Sequence, residues 1–295
     1  MNIHYPVLLE EALTELQIIP EGIYIDGTFG QGGHSRGILE KLGSKGLLFA
    51  IDKDPNASTY ITEQNKQDIR FQFSHASFDD LDKRVMQWGI MGKVNGLLLD
   101  LGLSSTQLDN PKRGFSFLKE GVLDMRMDPA RGPSAFKWLA QASIEEMTDI
   151  FKKYGEERWS KRIAQAIYAA KKIQPIRMTT QLAEIVKKAH PRWPRRVHPA
   201  TRIFQAIRIH INCELTTLQH FLEKSLDILA PQGRMAIITF HSLEAKVVKN
   251  FAHQMAKKQP GRLQWAKKSI KPSSQEISDN PRSRSAILRI LEKKS

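Results

Sequence analysis

The first hundred residues alternate short apolar runs with polar, glycine-containing segments. The runs at 23–25 and 47–51 are rich in β-branched and aromatic residues and are too short for helices, so they predict buried strands. Between them, residues 36–42 carry a helical pattern. Two further candidate strands, at 70–73 and 94–99, continue the rhythm. This alternation predicts an α/β fold built on a largely parallel sheet.

The strand rhythm stops near residue 106 and returns near residue 206. Between these points, loops rich in glycine, proline and arginine lead into helical patterns over 134–172 and 179–189. We therefore predict a discontinuous α/β domain formed by residues 1–105 and 206–295. A helical insertion of residues 106–205 divides it.

The last part of the chain supplies the remaining strands. Residues 234–240 form an apolar, β-branched run after a Pro-Gln-Gly turn. Residues 262–267 and 285–291 are predicted to close the sheet as an antiparallel pair at its edge. The segment 269–284 is rich in serine, proline and lysine, which predicts a mobile loop.

A glycine-rich turn follows the strand at 23–25. The segment from Asp26 to Ser35 reads Asp-Gly-Thr-Phe-Gly-Gln-Gly-Gly-His-Ser and leads into the helical pattern. Glycines let the backbone approach a ligand closely, and a helix N-terminus offers free N–H groups. Asp52 stands 20 residues after Gly32 at a strand end, where an acid accepts hydrogen bonds from a ribose. A nucleotide-like ligand is predicted, although tight turns also need glycine without any ligand.

The form of this turn distinguishes two ligand classes. The dinucleotide fingerprint needs a glycine where Ser35 stands, so that fingerprint is incomplete. The acid-first form is more similar to the S-adenosylmethionine loop of Rossmann-like methyltransferases, with Thr28 in place of the usual first glycine. Ligands of such sheets lie at the carboxyl ends of strands, so Asp26, Asp52 and Asp100 are predicted to share one rim.

Charge is distributed unevenly along the 295 residues, whose formal net charge is +14. Residues 1–100 carry a net charge of −5, whereas residues 151–210 carry +12 and residues 251–295 carry +8. Basic segments beside an acidic-to-neutral half predict a catalytic body with a polyanion-binding surface, the alternative being a solvated basic face. The candidate phosphate contacts in a proline-interrupted cluster are Arg192, Arg195 and Arg196.

Composition excludes several other classes of protein. Hydrophobic residues make up 41% and charged residues 26% of the chain, which is typical of a globular protein. No apolar run approaches the roughly 18 residues of a membrane span, and no secretory signal is apparent, so we expect a cytoplasmic protein without membrane contact. Cys213 is the only cysteine and the histidines show no ligand spacing, so neither a disulfide framework nor a metal site is expected.

Eight ordered motifs extend over essentially the whole chain. They are Asp26-Gly-Thr-Phe-Gly-Gln-Gly-Gly-His-Ser35, Asp100-Leu-Gly-Leu-Ser-Ser-Thr-Gln-Leu-Asp109, Arg113-Gly-Phe-Ser-Phe117, Leu123-Asp-Met-Arg-Met-Asp128, Tyr154-Gly-Glu-Glu157, His198-Pro-Ala-Thr-Arg202, Phe240-His-Ser-Leu-Glu244 and Asn280-Pro-Arg-Ser-Arg-Ser285. Together they resemble the bacterial 16S ribosomal RNA (cytosine-N4) methyltransferase family. The chain departs from the family's pattern at Ala245-Lys246, where an acidic residue and an arginine are usual, and in the short stretch before Asn280.

The resemblance implies a fold, a reaction and a set of partners. It implies a class I Rossmann-like methyltransferase sheet whose helical insertion recognises the substrate. It also implies methyl transfer from S-adenosylmethionine to N4 of a decoding-centre cytidine, position 1402 in the usual 16S rRNA numbering, in the small ribosomal subunit, and it admits a homodimer. The cofactor contacts carried over by motif are Gly32, Gly33, His34, Asp52, Phe78, Asp100 and Gln107. For Phe78, the alternative is a place in the hydrophobic core.

Nitrogen methylation makes limited chemical demands on the protein. A cytosine amine is a poor nucleophile because its lone pair is delocalised, so a hydrogen-bond acceptor for N4–H assists it, and no metal is required. Asp100, close to Ser104 and Ser105, is the candidate acceptor, with ligand positioning as its alternative role. Carbon methylation usually needs a cysteine thiolate. Cys213 lies in an apolar-periodic segment and is predicted to be buried, which disfavours that route.

Candidate RNA contacts also occur in the predicted insertion. They are Arg113, Arg126, His198 and Arg202. The alternative for the first two is an ion-pair network with Asp124 and Asp128. The alternative for the last two is a capping or dipole role at a helix start.

Two functions from other classes share some of these features. A nicotinamide-dependent oxidoreductase would share the glycine turn and Asp52, and tight binding of S-adenosylhomocysteine with near-absent affinity for NAD would exclude it. A non-enzymatic ribosome-binding factor would share the basic segments, but the three strand-end acids argue against it.

Overall fold

The computed structural model describes residues 5–191 and 198–295. The chain divides into two compact units, one formed by Met1–Gly102 and Leu215–Ser295 and the other by Leu103–Glu214. The boundary predicted after residue 205 falls inside the helix Ala200–Asn212, which belongs to the second unit over its whole length. No helix of the described residues is long and apolar enough to cross a membrane.

A seven-stranded mixed sheet organises the first unit. Its strands are β1 (Ile23–Asp26), β2 (Leu47–Asp52), β3 (Phe71–His75), β4 (Val94–Asp100), β5 (Leu229–Thr239), β6 (Leu263–Ile270) and β7 (Ile287–Lys293). The strand order is β3-β2-β1-β4-β5-β7-β6, with parallel pairing from β3 to β5. Strand β7 runs antiparallel to both β5 and β6. The predicted Rossmann-like α/β fold is confirmed, as is the antiparallel pair at its edge.

Thirteen α-helices occur in the described residues. They are α1 (Leu9–Leu16), α2 (Gly33–Lys41), α3 (Glu63–Gln67), α4 (Leu81–Gln87), α5 (Ser105–Asp109), α6 (Ala135–Gln141), α7 (Ile144–Gly155), α8 (Ser160–Ile173), α9 (Thr179–Ala189), α10 (Ala200–Asn212), α11 (Glu214–Ile228), α12 (Ser242–Lys258) and α13 (Ser274–Asp279). Short 3₁₀ helices are formed by Pro55–Tyr60, Phe78–Asp80, Pro111–Arg113 and Pro281–Ser285. Helices α5 to α10 make up most of the second unit.

Both faces of the sheet are buried, which explains the continuous apolar runs of its central strands. Along β4, Leu97 and Leu99 pack in the cluster that includes residues of α4, α11 and α12. Leu98, between them, packs on the opposite face with residues of α1 and α2. Successive side chains of a strand point to opposite faces, so one run of three leucines serves both layers.

The strand order creates a crevice at the carboxyl ends of β1 and β4. From β1 the chain proceeds to β2 and β3 on one side, and it then returns to β4 and β5 on the other. The connections after β1 and β4 therefore leave in opposite directions. Such a switch point is where open α/β sheets bind their ligands.

Most of the segment 269–284 is helical, so the prediction of a loop there is wrong. It contains α13 and a 3₁₀ helix, and the side chains of Ser273 and Asn280 cap these two helices. The Oε1 atom of Glu276 accepts the backbone N–H of Leu8 at 2.9 Å. This contact joins residues 268 positions apart, and no local pattern indicates it.

In the helical second unit, a lysine side chain contacts the C-terminal end of a neighbouring helix. The ammonium group of Lys171 on α8 donates to the carbonyl oxygens of Leu139, Ala140 and Ala142, at 2.9, 3.1 and 2.6 Å. These carbonyls lie at the C-terminal end of α6, where helical partners are lacking. Burial lowers the pKa of Lys171. A lysine on one helix thus caps the helix packed against it.

The prediction of a buried Cys213 is wrong, because the side chain is exposed. Helix α10 ends at Asn212, and Cys213 follows it with a φ of 53° in the left-handed region. The apolar periodicity belongs to the helix before this residue. The chain turns at Cys213 without the glycine that usually marks such an end.

Candidate active site

Asp26, at the end of β1, anchors the glycine-rich turn. Its carboxylate accepts the Ser35 hydroxyl at 2.6 Å on Oδ2 and the Thr28 backbone N–H at 3.1 Å on Oδ1. The residue is fully buried, and that burial raises its pKa. Asp26 therefore lies at the predicted rim, but its carboxylate holds the turn in place from within the protein.

The turn itself presents glycine backbone at the start of α2. Gly30 and Gly32 have φ angles of 55° and 73°, which L side chains rarely adopt. A Cβ atom on Gly32 would lie 2.7 Å from the ring of Phe29, whereas one on Gly30 would meet nothing closer than 3.9 Å. Gly32 caps α2 and Gly33 is its first residue. Open space over Gly30 and a helix N-terminus fit a nucleotide-like ligand.

Asp52, at the end of β2, holds the other side of the turn. Its Oδ2 accepts the backbone N–H of Gly30 and its Oδ1 accepts that of Asp54, both at 2.7 Å. Burial raises the pKa of Asp52 to about 6. Each carboxylate oxygen has a second lone pair, so Asp52 retains the capacity to accept hydroxyl groups.

Asp100, at the end of β4, has a carboxylate oxygen for which the described residues provide no hydrogen-bond donor. Its backbone N–H donates to the Thr28 hydroxyl at 2.6 Å, which ties the turn after β1 to the end of β4. Its Oδ1 is buried and has no hydrogen-bond partner in the described part of the chain. Burial raises the pKa of Asp100 to about 7, and the negative charge of Glu244 adds to the effect. A buried acceptor without a partner is costly, which indicates a binding or catalytic role.

Glu244 is a site residue that the sequence reasoning did not single out. Its Oε2 accepts the backbone N–H groups of Phe240 and His241 at 2.7 and 3.2 Å, and His241 Nε2 lies 3.1 Å from its Oε1. Glu244 stands three residues after His241 at the start of α12, which is the spacing of a capping box. This spacing in the sequence could have indicated Glu244. It predicts the cap but not the charge near Asp100.

Two further predicted cofactor contacts have defined surroundings. His34 is buried, and its Nε2 lies 3.0 Å from the carbonyl oxygen of Val7, so that nitrogen carries the hydrogen. Phe78 is half-buried and packs edge-on against Phe221, with ring centroids 5.6 Å apart. Phe78 thus contributes to the core while part of its ring stays accessible.

The pKa of Asp100 predicts a pH dependence of stability. The unfolded chain releases this proton near pH 3.8 and the folded chain near pH 7, so folding takes up a proton between these values. Relative to Asp100→Asn, the wild-type protein should therefore lose stability as pH rises from about 4 to about 7, by at most about 4 kcal/mol. Urea unfolding of both proteins at pH 4 and pH 8 measures this difference. If the wild type and Asp100→Asn differ in unfolding free energy by the same amount at both pH values, the raised pKa of Asp100 is contradicted.

The predicted contacts of the second unit are held within that unit. Gln107 is buried and forms a capping box with Ser104 at the start of α5. Arg126 pairs with Asp124 through two hydrogen bonds of 2.8 and 2.7 Å. Arg113 donates to the carbonyl oxygens of Arg126 and Met127 at 3.0 and 2.8 Å. Arg126 therefore follows the alternative to RNA contact, because it forms an ion pair with Asp124 inside the second unit.

The start of α10 brings together the other two candidates. His198 Nδ1 accepts the backbone N–H of Ala200 at 3.2 Å, and its ring lies 4.9 Å from that of Phe117. Burial lowers the pKa of His198. Arg202 is largely exposed and lies 4.0 Å from the buried Glu157. The candidates that fall outside the described residues are Arg192, Arg195 and Arg196.

Comparisons with known proteins decide the family. The sequence model of the MraW methylase family matches residues 1–294. The chain belongs to the MraW methylase family. Its relatives include a "Ribosomal RNA small subunit methyltransferase H" of Legionella pneumophila (strain Corby), 50% identical over 98% of both chains. A protein of the same name from Coxiella burnetii (strain Dugway 5J108-111) is 48% identical over 100% of both.

Solved structures with a similar fold are more distant. An rRNA methylase from Streptococcus thermophilus is 12% identical, with a TM-score of 0.44 over 97% of this chain and 95% of that one. A SAM-dependent O-methyltransferase from Thermotoga maritima is 10% identical, with a TM-score of 0.45 over 100% and 68%. Family membership rests on the sequence matches. It makes the chain an S-adenosylmethionine-dependent methyltransferase, as predicted, and neither alternative function has support.

Proposed function

We propose that this enzyme transfers a methyl group from S-adenosylmethionine to N4 of a cytidine in small-subunit ribosomal RNA. The names of its relatives support rRNA as the substrate. The resemblance of the motifs to the cytosine-N4 family supports position 1402 of 16S rRNA. The observation that carries the chemistry is Asp100 Oδ1, a buried acceptor at the switch point of the sheet that has no partner among the described residues.

The cofactor site is assigned to the turn after β1 and the neighbouring strand ends. Gly32 and Gly33 provide backbone N–H groups at the start of α2, and Asp52 accepts the ribose hydroxyls. Phe78 provides an apolar surface for the adenine. The motif resemblance assigns His34 and Gln107 to the cofactor as well. When bound, S-adenosylmethionine supplies an electrophilic methyl carbon on a sulfonium, so the protein's main task is alignment.

We assign Asp100 the role of hydrogen-bond acceptor for the N4 amine of the cytidine. Its Oδ1 accepts one N4–H, which helps the nitrogen to rehybridise as it forms the new bond to carbon. The carboxylate must be ionised to take the proton released by the amine. With a pKa of about 7 in the free enzyme, Asp100 is matched to proton transfer near neutral pH.

The second unit is assigned the recognition of RNA. Its segment 151–210 carries a net charge of +12, and phosphate contacts dominate the affinity of proteins for nucleic acids. The residues that we assign to RNA contact are Arg113, Arg192, Arg195, Arg196, His198 and Arg202, whereas the Arg126 guanidinium is engaged by Asp124. The assembled small subunit as substrate, a homodimer and a cytoplasmic location stay predictions.

Labelled-methyl transfer tests the proposed function directly. The enzyme is incubated with labelled S-adenosylmethionine and small subunits that lack the modification, and the rRNA is digested to nucleosides for mass spectrometry. We expect N4-methylcytidine at a single position. Label in another nucleoside, or no label in the rRNA, would overturn the proposal.

Cys213→Ala is expected to leave methyl transfer nearly unchanged. An exocyclic nitrogen needs no covalent adduct with the enzyme, and the exposed thiol makes a weak contact, with its Sγ 3.8 Å from the carbonyl oxygen of His210. Turnover of the folded variant on small subunits measures this. Loss of turnover by several orders of magnitude, or 5-methylcytidine as the product, would exclude N4 methylation.

A further inference from the structure

A groove lies between α12 and the edge strand β6 of the first unit. Its volume is about 350 Å³, which falls in the range of about 300 to 1,000 Å³ typical of small-ligand sites. We call it the α12–β6 groove. Its lining combines an apolar floor with a basic rim, and the principal residues are Leu263, Trp265, Leu291, Lys249, His253 and Lys268. None of these residues belongs to the candidate active site.

The groove lies in the most uniformly basic stretch of the first unit. Residues 245–275 contain eight lysines and arginines and no aspartate or glutamate. Lys249 and Lys268 are exposed, and neither pairs with an acidic side chain in the residues that the structure describes. Lys267, their neighbour, does have such a partner, since its Nζ lies 3.7 Å from Glu15. The rim therefore offers two unneutralised positive charges to an anion.

Trp265 contributes an aromatic plane to the apolar floor of the groove. The indole is half-buried and packs partly against the cluster that includes Phe251 and Leu291. No aromatic side chain of the described chain stacks on it. Aromatic planes between lysines are the usual platform for unpaired bases, which stack on the ring while the adjoining phosphates contact the lysines.

We propose that the α12–β6 groove binds a single-stranded stretch of the substrate RNA, with one base on Trp265 and neighbouring phosphates at Lys249 and Lys268. This inference rests on the proposed function, because an rRNA substrate supplies the single strand. An acidic peptide matches the two lysines but offers no planar base for the indole. The groove would then act as a second RNA anchor, carried by the catalytic unit itself.

The lysines are tested by the salt dependence of binding. The probe is polycytidylate, and its affinity is measured without methyl transfer at several salt concentrations. Removing two phosphate contacts by Lys249→Gln and Lys268→Gln should reduce the slope of log K against log salt by about 1.4. The matched control, Lys41→Gln with Lys45→Gln, removes two exposed charges at and just after the end of α2, on the opposite face of the sheet, and should leave the slope unchanged.

The role of Trp265 is tested by substituting it and measuring the affinity for polycytidylate, while the salt dependence of binding is expected to stay the same. Trp265→Leu keeps an apolar floor but removes the aromatic plane, and it should weaken polycytidylate binding about tenfold without changing the slope. Trp265→Phe keeps an aromatic ring and should bind within a few fold of the wild type. Calorimetric binding of S-adenosylhomocysteine and thermal unfolding confirm that each variant is folded.

The outcomes distinguish failure of the groove from failure of the proposed function. If the wild type methylates rRNA while the lysine and tryptophan variants bind polycytidylate as it does, the groove proposal is overturned and the function stands. If the wild type methylates no rRNA but the variants still lose polycytidylate, the groove is upheld and the function fails. Polyglutamate that binds in a Lys249- and Lys268-dependent way, with no effect of Trp265→Leu on polycytidylate, would assign the groove to an acidic protein and overturn the proposal.

Discussion

Asp52→Ala should weaken binding of S-adenosylmethionine by about 2 to 4 kcal/mol, because it removes a charged acceptor of both ribose hydroxyls. This corresponds to a loss of about 30- to 1,000-fold in affinity. The fold should persist, since Asp52 lies at a strand end and not within the sheet core. Calorimetry on the folded variant measures the change.

A second effect of Asp52 must be separated from ribose recognition. Its carboxylate also accepts the N–H groups of Gly30 and Asp54, so its removal loosens the turn as well. S-adenosylhomocysteine and its 2′,3′-dideoxy analogue form the control pair. The wild type should prefer the ligand with hydroxyls, and Asp52→Ala should lose that preference. Equal discrimination by both proteins would remove Asp52 from the ribose site.

Asp100→Asn should reduce the rate of methyl transfer by about 10² to 10⁴-fold, because it replaces the ionisable acceptor of the amine proton. The neutral amide still fills the space at the end of β4, so binding of S-adenosylmethionine should change much less than turnover. Single-turnover rates on small subunits, measured beside calorimetry, separate the two effects. A variant with normal turnover would show that Asp100 only positions the ligand.

The pH profile tests the same residue by its ionisation. In the wild type, kcat/KM should rise with pH to a plateau through an apparent pKa near 7, where Asp100 loses its proton. The rise should be absent in Asp100→Asn. Glu244→Gln is the matched variant, because it removes the negative charge that contributes to the raised pKa of Asp100. Its rise should move to lower pH while turnover at pH 8 persists.

Local pattern predicted most of the first unit. Runs such as 47–51 and 97–99 are apolar on both faces, and a strand buried in a parallel sheet has that signature irrespective of its distant partners. The glycines at 30 and 32 indicated a tight turn, and both adopt positive φ angles there. Asp52 and Asp100 were predicted at strand ends because each is the first polar residue after an apolar run.

Helix ends and the boundary of the second unit were less accessible from the sequence. The segment 269–284 has a loop-like composition, yet short capping residues and the contact of Glu276 with Leu8 make it helical. Cys213 ends α10 in a left-handed conformation that glycine usually adopts. In both cases composition indicated one structure, and distant packing or local capping stabilised another.

By itself the sequence determined the family, the α/β class, the order of most elements and the strand-end acids, because these depend on motif order and on short-range periodicity. The tertiary structure alone decided how the acids differ. Asp26 is satisfied by Ser35 and Thr28, whereas Asp100 retains a buried oxygen without a partner among the described residues. That difference arises from burial and from the placement of distant side chains such as Glu244 near Asp100, which neither spacing nor composition encodes.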